Sequence, residues 1–145
     1  MAELVLVHAA ATWFMAGVIW IVQVVHYPLF AGVGELGYAR YQTEHMRRIT
    51  WVVGPAMVVE ALTGLWLWWE LRTALLTALT VAGVLVWLST ALLQVPQHRR
   101  LTVRFDRDAH ARLVRSNWVR TLLWSLRGVG VAYVVWRWLP TFATA

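Results

Sequence analysis

Cysteine is missing from this chain, and charged residues are scarce. Without cysteine, the protein can form no disulfide bond, use no thiol chemistry and hold no Cys-ligated cluster. Charged residues make up 14% of the 145 residues, and all thirteen basic ones are arginine. The net charge is +6. Nucleic acid is nevertheless not a predicted partner, because the arginines flank apolar runs and no nucleic-acid-reading module is present.

Hydrophobic residues dominate instead, at 60% of the chain, with a mean hydropathy of +0.58. A soluble domain of this size usually has an apolar share of about 45–50%. The first apolar run lacks the small-residue cleavage pattern of a signal peptide and is too long for one, so we take it as a span. Four runs reach the length that crosses a bilayer, about 20 residues: Leu4–Tyr27, Thr50–Trp69, Thr73–Val95 and Thr121–Leu139.

These runs predict one all-α domain over residues 1–145, an integral membrane four-helix bundle whose first partner is the lipid bilayer. Ten arginines lie in or beside the loops that join spans one to two and three to four, whereas Arg72 and Arg137 lie on the other side. Because arginine favours the cytoplasmic side, both loops are predicted to be cytoplasmic and both termini outside an inner (plasma) membrane. The spacing of apolar residues also predicts short amphipathic helices in the two loops.

Two charged residues lie deep inside predicted spans. Glu60 is about ten residues into span two, roughly 15 Å at 1.5 Å per residue. A carboxylate at that depth costs about 3 kcal/mol, so it should face protein, be paired or be protonated. Arg127 lies at a similar depth in span four. A structural Glu60–Arg127 ion pair is one interpretation, and a part in a functional site is the other.

Polar residues at helical spacing continue through three spans, and each set falls on one face of its helix. Packed inward, these faces predict a cytoplasm-facing polar cavity with His26 at its mouth. His8 lies eighteen residues earlier, about 27 Å along the helix, so it is predicted to lie at the outer interface or to serve a second site. The three sets are Gln23 and His26; Thr90, Gln94 and His98; and Asn117, Arg120, Trp124 and Arg127.

The histidines raise the question of a cofactor. His26, His45 and His98 together with Glu60 would suit a zinc, iron or copper ion with an open position. Haem held by two histidines is a further possibility. A lone histidine at an interface is ordinarily an amphipathic side chain, and no local signature such as HExxH is present. The cofactor is therefore left open between none, a transition metal ion and haem.

Two stretches resemble a known family. "VPQHRRL" (95–101) and "LVRSNWVRTLLW" (113–124) resemble the end of helix three and the start of helix four in small membrane proteins of the anthrone-oxygenase-like family, a domain of unknown function. That family carries Pro-x-Asn-Arg-x-Leu and then Arg-Thr, with a histidine three positions before the Arg. Matching positions here are Pro96, Arg99, Leu101, Arg120 and Thr121, with His98 at the asparagine position and Asn117 at the histidine position.

The "HYP" at residues 26–28 is similar to the His-Pro that ends helix one in that family, with one residue inserted. The resemblance implies oxygenation of activated polyaromatic substrates without a dedicated metal or flavin. "HAAATWFMAG" (8–17) is more loosely similar to helix one of the membrane-bound protoporphyrinogen oxidases, which use haem. Both resemblances imply redox chemistry.

We therefore expect a membrane-embedded oxidoreductase or oxygenase for a lipophilic aromatic or quinone-like molecule, acting at the cytoplasm-facing site. His26 or His98 would be the general base, since histidine titrates near neutral pH, and Arg120 would stabilise the developing anion. The predicted catalytic residues are His26, Glu60, His98, Asn117 and Arg120. The predicted substrate-binding residues are Trp20, Tyr27, Trp87, Gln94, Trp124 and Arg127.

Two other functions fit the same residues. One is a metal- or haem-binding membrane protein, or a small carrier without catalysis, that uses Glu60, His26 and His98. The other is a structural subunit that forms a homo-oligomer, in which Glu60 and Arg127 only satisfy each other. A Soret band would indicate haem, and bound iron, copper or zinc would indicate a metal site.

Overall fold

The computed structural model describes residues 1–142, with side chains through residue 137. All regular elements in this part of the chain are helical, as predicted. Three of the elements are short turns of π-helix or 3₁₀-helix rather than α-helix. In chain order they are α1 Ala2–Ile21, a π-helix Val22–His26, α2 Tyr27–Leu29, a 3₁₀-helix Phe30–Gly32, α3 Glu35–Leu71, α4 Ala74–Ser89, a second π-helix Thr90–Gln94, α5 Val95–Leu101 and α6 Arg107–Phe142.

Three continuous helical segments in the described residues are long and apolar enough to cross a membrane: Ala2–Gly32, Glu35–Leu71 and Ala74–Leu101. They contain the first three predicted spans. The fourth predicted span, Thr121–Leu139, lies within α6, which is helical but is not one of these three. The side chains of its last two residues are outside the described part of the chain. The fourth span therefore stays a prediction.

The predicted amphipathic helix of the first loop is not a separate element. It forms the first turns of α3, which continues through Pro55 without a break. In the second loop, α5 and the beginning of α6 hold the corresponding residues. Asp106 caps α6 by accepting a hydrogen bond from the backbone N–H of Ala109 at 2.9 Å. Such bonds to the helix N-terminus hold the pKa of Asp106 below its ordinary value.

The four long segments pack around a shared interior. α1 contacts α3 and α6, and α4 contacts the same two helices. Where water is the solvent, such contacts are stabilised by the burial of apolar side chains, at about 25 cal/mol for each Å² of apolar surface removed from water. The interior contains two apolar clusters. Met15, Ile19, Phe30 and Trp124 belong to the larger one.

Both π-helices lie just before a proline. Pro28 follows the first and Pro96 follows the second, each by two residues. Proline has no N–H to donate to the carbonyl four residues back, and a π-helical turn, in which bonds span five residues, accommodates such a break. Accordingly the N–H of Tyr27 bonds to the carbonyl of Val22. Each wide turn changes which side chains face the interior, and the polar residues Gln23, His26 and Gln94 lie in these turns.

Candidate functional site

Polar side chains of the interior fall into two separate groups rather than one. The first surrounds His26, His45 and His98, which we call the histidine cluster. The second surrounds the pair of Glu60 and Arg127. His45 and Glu60 are fifteen residues apart on the same helix, α3, so they are about 22 Å apart along its axis. The prediction that Glu60 joins His26, His45 and His98 in one site is therefore wrong.

In the histidine cluster, His45 lies between the other two. Its Nδ1 is 2.8 Å from Nε2 of His26, and its ring centroid is 5.8 Å from that of His98. Phe30 packs edge-on against His26 and His45, with ring centroids 5.1 and 5.0 Å away. A hydrogen bond between two imidazoles needs one N–H and one lone pair. At least one of His26 and His45 is therefore uncharged.

His98 supports this cluster from the inside. It is buried, with Nε2 at 2.8 Å from the Tyr27 hydroxyl and Nδ1 at 2.7 Å from Nε2 of Gln42. Because protein groups occupy both of its ring nitrogens, His98 has no nitrogen left for a substrate or a metal ion. The prediction that His98 acts as a general base is not supported by this geometry. Its hydrogen bonds instead fix Tyr27 and Gln42.

A cavity of about 440 Å³ opens beside the His26–His45 pair. The two imidazoles are its polar part, and the ring of Tyr41 and two aliphatic side chains of α3 are its apolar part. At the rim, Glu44 accepts hydrogen bonds from Arg47 at 2.8 Å and Arg48 at 3.1 Å. The lining residues are His26, Tyr41, Glu44, His45, Arg48, Ile49 and Val52.

Other predicted catalytic residues do not line this cavity. Asn117 is fully buried and donates to Oε1 of Gln23 at 2.9 Å, while Gln23 donates to the carbonyl of Val114 at 3.2 Å. Arg120 is buried beside the Tyr27 hydroxyl. These groups tie the first π-helix to α6, so their role here is structural.

Gln94, a predicted substrate-binding residue, does the same for the second π-helix. It accepts from Ser89 at 3.3 Å and donates to Ser116 of α6 at 3.0 Å. Tyr27 is likewise buried, with its hydroxyl on His98 and its carbonyl 2.8 Å from Nε2 of His110. Neither side chain is open to a substrate in this structure.

The three tryptophans predicted to surround a substrate do not share a cavity. Trp20 is half exposed, donates to Ser125 at 3.0 Å and packs edge-on against Trp118. Trp124 is buried, with its ring centroid 5.6 Å from the guanidinium carbon of Arg127. Only Trp87 of the three lines a cavity, and that cavity belongs to the second polar group.

Glu60 and Arg127 form a buried ion pair, as one of the two interpretations of the sequence required. Arg127 also donates to the carbonyl of Leu79. Thr12 donates to Oε1 of Glu60 at 3.5 Å, and Nε2 of His8 lies 3.9 Å from the same oxygen. His8 is 3% exposed. The outer-interface prediction for His8 is therefore wrong, and its alternative, a second site, fits its position.

A cavity of about 380 Å³ adjoins this pair between α3 and α4, and we call it the α3–α4 groove. Glycines make room in it. A Cβ on Gly83 would lie 2.6 Å from Nη1 of Arg127, and one on Gly64 would lie 2.9 Å from Cε1 of His8. The lining residues are Glu60, Ala61, Gly64, Leu65, Thr80, Gly83, Val84, Trp87, Leu88, Ala91 and Arg127.

Sequence reasoning missed Gly64, Gly83, Thr12 and Thr63 as members of this group. Thr63 lies 3.0 Å from Nδ1 of His8. The available signal was the spacing of Glu60, Thr63 and Gly64, which places a carboxylate, a hydroxyl and a gap on one face of α3. That signal is weak, because small residues are common on apolar helices.

The predicted metal site is not assembled. Among the residues that the structure describes, no group of three or more His, Asp or Glu side chains is arranged to hold a metal ion. Of the predicted ligands, Glu60 is paired with Arg127 far from the others, and His98 is bonded through both nitrogens. Only His26 and His45 remain adjacent, and they bond to each other.

No protein-family model, curated protein or solved structure matches this chain. The resemblances to the anthrone-oxygenase-like family and to the protoporphyrinogen oxidases therefore stay predictions. Any function must be argued from the two cavities and the side chains that line them.

Proposed function

We propose that the chain is an integral membrane protein, a bundle of four spans in the inner membrane with both termini outside. Three of its helical segments are apolar and long enough to cross. Large apolar side chains are also exposed around the molecule, among them Leu62 of α3 at 63%, Leu92 at 68% and Leu126 of α6 at 66%. Contiguous apolar surface of this kind is rare on soluble monomers, and its presence on α6 supports the fourth span.

Within this protein, the cavity beside His26 and His45 binds a flat lipophilic aromatic or quinone-like molecule and oxidises it. One observation carries this proposal: a hydrogen-bonded imidazole pair forms the polar part of a cavity that is otherwise largely apolar. Aromatic ligands favour cavities of this kind, apolar with a few placed polar groups. Ile49 and Val52 continue the apolar wall along α3.

The imidazole pair supplies a general base. When both rings are neutral, the ring that donates the hydrogen bond keeps a free lone pair on its other nitrogen. That ring removes an acidic proton from the substrate, and the hydrogen bond to the second ring spreads the resulting charge. Arg48 at the rim, rather than the buried Arg120, is placed to stabilise the substrate anion. The electron-rich anion is the species from which dioxygen or another oxidant takes electrons.

Anthrone is a suitable probe, because its oxidation by one dioxygen yields anthraquinone and one water. We expect purified protein in nanodiscs to accelerate this reaction, followed by absorbance and oxygen uptake. His26→Ala and His45→Ala should each lower the rate by about 10²-fold or more, the usual contribution of a general base. His110→Ala is the matched control, since His110 bonds to a backbone carbonyl and does not line the cavity.

Melting temperatures of all variants show whether they fold. Wild-type protein that leaves the anthrone rate unchanged, or His26→Ala and His45→Ala variants as active as wild type, would contradict the proposal. A Soret band, or stoichiometric iron, copper or zinc in the purified protein, would instead support the haem- or metal-binding alternative that the sequence left open.

A further inference from the structure

We propose that the α3–α4 groove is a second binding site, separate from the histidine cluster, and that it takes a lipophilic carboxylic acid from the bilayer. The acid enters in its neutral form, gives its proton to Glu60 and binds Arg127 as the carboxylate. This inference rests on the membrane embedding proposed above, but not on the chemistry of the histidines.

The walls of the groove determine how a ligand arrives. Leu65 is 49% exposed, Val84 52% and Leu88 48%, and all three line the groove. In a bilayer these side chains face lipid, so the groove opens into hydrocarbon. A charged ligand would have to cross that hydrocarbon at high cost. The ligand must therefore be largely apolar and uncharged when it enters.

Arg127 shows that the ligand brings a hydrogen-bond acceptor. This side chain lines the groove and is 2% exposed. Its two terminal nitrogens are used, by Glu60 and by the carbonyl of Leu79. Its Nε is buried and has no hydrogen-bond partner among the described residues. A buried donor of this kind is costly to leave unpaired, and an oxygen in the groove would satisfy it.

Glu60 adds the second requirement, which is an acidic proton on the ligand. Its carboxylate lines the groove beside Arg127, so a ligand that accepts from Arg127 can donate an O–H to Glu60. A carboxylic acid carries both groups on one carbon and matches a guanidinium in two-point geometry. A phenol also has both functions on one oxygen, but it is about six pK units weaker as an acid than a glutamate side chain. A carboxylic acid is close to Glu in acidity, so only it can exchange its proton readily.

The exchange keeps the interior neutral. The O–H bond of the ligand acid breaks, and an O–H bond forms on the Glu60 carboxylate. Arg127 then pairs with the ligand carboxylate in place of Glu60, so the site holds one positive and one negative charge before and after. No free charge appears in the low-dielectric interior, where an unpaired charge is strongly disfavoured.

Small side chains line both walls of the groove, Ala61 and Gly64 on α3 and Gly83 and Ala91 on the α4 side. Arg127 and His8 occupy the space over the two glycines, so the room for the carboxyl group lies beside the two alanines. A volume of about 380 Å³ holds the carboxyl group and the first part of an acyl chain or ring, and the rest of the ligand extends toward lipid past Trp87.

Binding of oleic acid labelled with ¹³C at the carboxyl carbon tests the inference, by NMR of the protein in nanodiscs. We expect saturable binding of about one acid per chain, seen as a shifted carboxyl signal, with no competition from methyl oleate, which lacks the acidic proton.

Ala91→Leu should fill the groove and weaken binding at least tenfold. Val81→Leu is the matched control on the same helix, outside the groove. His26→Ala should bind oleic acid as wild type does, which separates this site from the proposed oxidation site.

The charged residues give a second test that does not depend on the Ala91 variant. Glu60→Gln leaves Arg127 without its carboxylate, so added oleate should bind at least as tightly as to wild type. The double variant Glu60→Gln/Arg127→Gln strands no charge and should lose oleic acid binding at least tenfold. Equal competition by methyl oleate, or wild-type affinity in the double variant, would overturn the inference.

Discussion

At the scale of single residues, Glu60 and Arg127 show how a buried charge is held in an apolar chain. The guanidinium fits only because Gly83 has no side chain, and it is fixed by two acceptors, Glu60 and the carbonyl of Leu79. Thr12 and His8 surround the carboxylate from α1. Four helices thus converge on one pair, so the loss of either partner affects the whole interior.

The two partners should respond unequally to substitution. Glu60→Gln leaves Arg127 without its carboxylate but keeps the shape and an acceptor for the guanidinium, whereas Arg127→Ala leaves a buried carboxylate without its cation and without the N–H donors of that cation. We expect Arg127→Ala to cost about 3–5 kcal/mol, the usual effect of breaking a buried pair, and Glu60→Gln to cost clearly less. Thermal unfolding in detergent measures both. Equally mild effects of the two changes would show that the pair does not stabilise the fold.

The similar depth of Glu60 and Arg127 in their predicted spans made this pair one of two interpretations of the sequence, because intramembrane charges seldom remain alone. The position of His8 could not be predicted in the same way. Its burial depends on the gap at Gly64 and on the hydroxyl of Thr63, which lie on another helix. Such contacts follow from the rotation of α1 against α3, and one-dimensional spacing does not fix that rotation.

At the scale of elements, the two π-helices decide which side chains face the interior. Long apolar runs predicted the helices that contain them, since hydropathy averages over about twenty residues. A shift of one hydrogen bond near Pro28 or Pro96 leaves that average unchanged. It does rotate the residues that follow in the same helix, and these include His98. Asn117 and Arg120 lie on α6, and their burial follows from the packing of α6 against α1 and the turns after it.

The start of α6 offers a test at this scale. Asp106 accepts from the N–H of Ala109, and its pKa is lowered because the helix N-terminus stabilises the carboxylate. A carboxyl group whose pKa is lower in the folded state stabilises the fold above its ordinary pKa, and this contribution is lost as the pH falls through the lowered value.

We therefore expect Asp106→Ala to lower the stability at neutral pH, as is typical for loss of an N-cap, and we expect this deficit to shrink in strong acid. Unfolding measured at several pH values gives the comparison. Asp108→Ala is the control, since Asp108 lies two residues later and is not the residue whose side chain caps α6. A deficit in Asp106→Ala that persists unchanged in acid would show that the carboxylate is not what stabilises the helix start.

At the scale of the whole molecule, hydropathy predicted four spans, and the first three lie in helical segments that are long and apolar enough to cross a membrane. The fourth lies in α6, where Arg127 and Arg137 dilute an otherwise apolar sequence. Glu60 of α3 neutralises Arg127 in the folded protein. The pairing lowers the cost of placing the Arg127 charge in a membrane, and a hydropathy average over the sequence does not include it. The division of the interior into two cavities was not predictable, because it depends on how all four segments pack.

The predicted topology can be tested because the chain has no cysteine of its own. A cysteine placed at Ala2, and another at Ala145, which lies outside the described residues, should each react in intact cells with a membrane-impermeant thiol reagent. Both termini lie outside if the ten arginines beside the two inner loops set the orientation. Protection of both positions from the reagent would reverse the topology.

One further consequence follows from the length of α3. This helix has 37 residues and no break at Pro55, and it contributes walls to both cavities. The two cavities are about 22 Å apart along the axis of this helix. If α3 tilts by about 5° as a rigid body about one cavity, its wall at the other cavity moves by about 2 Å. We therefore expect that a ligand against Glu60 which tilts α3 changes the width of the space beside His45, so that binding in one cavity alters the affinity of the other.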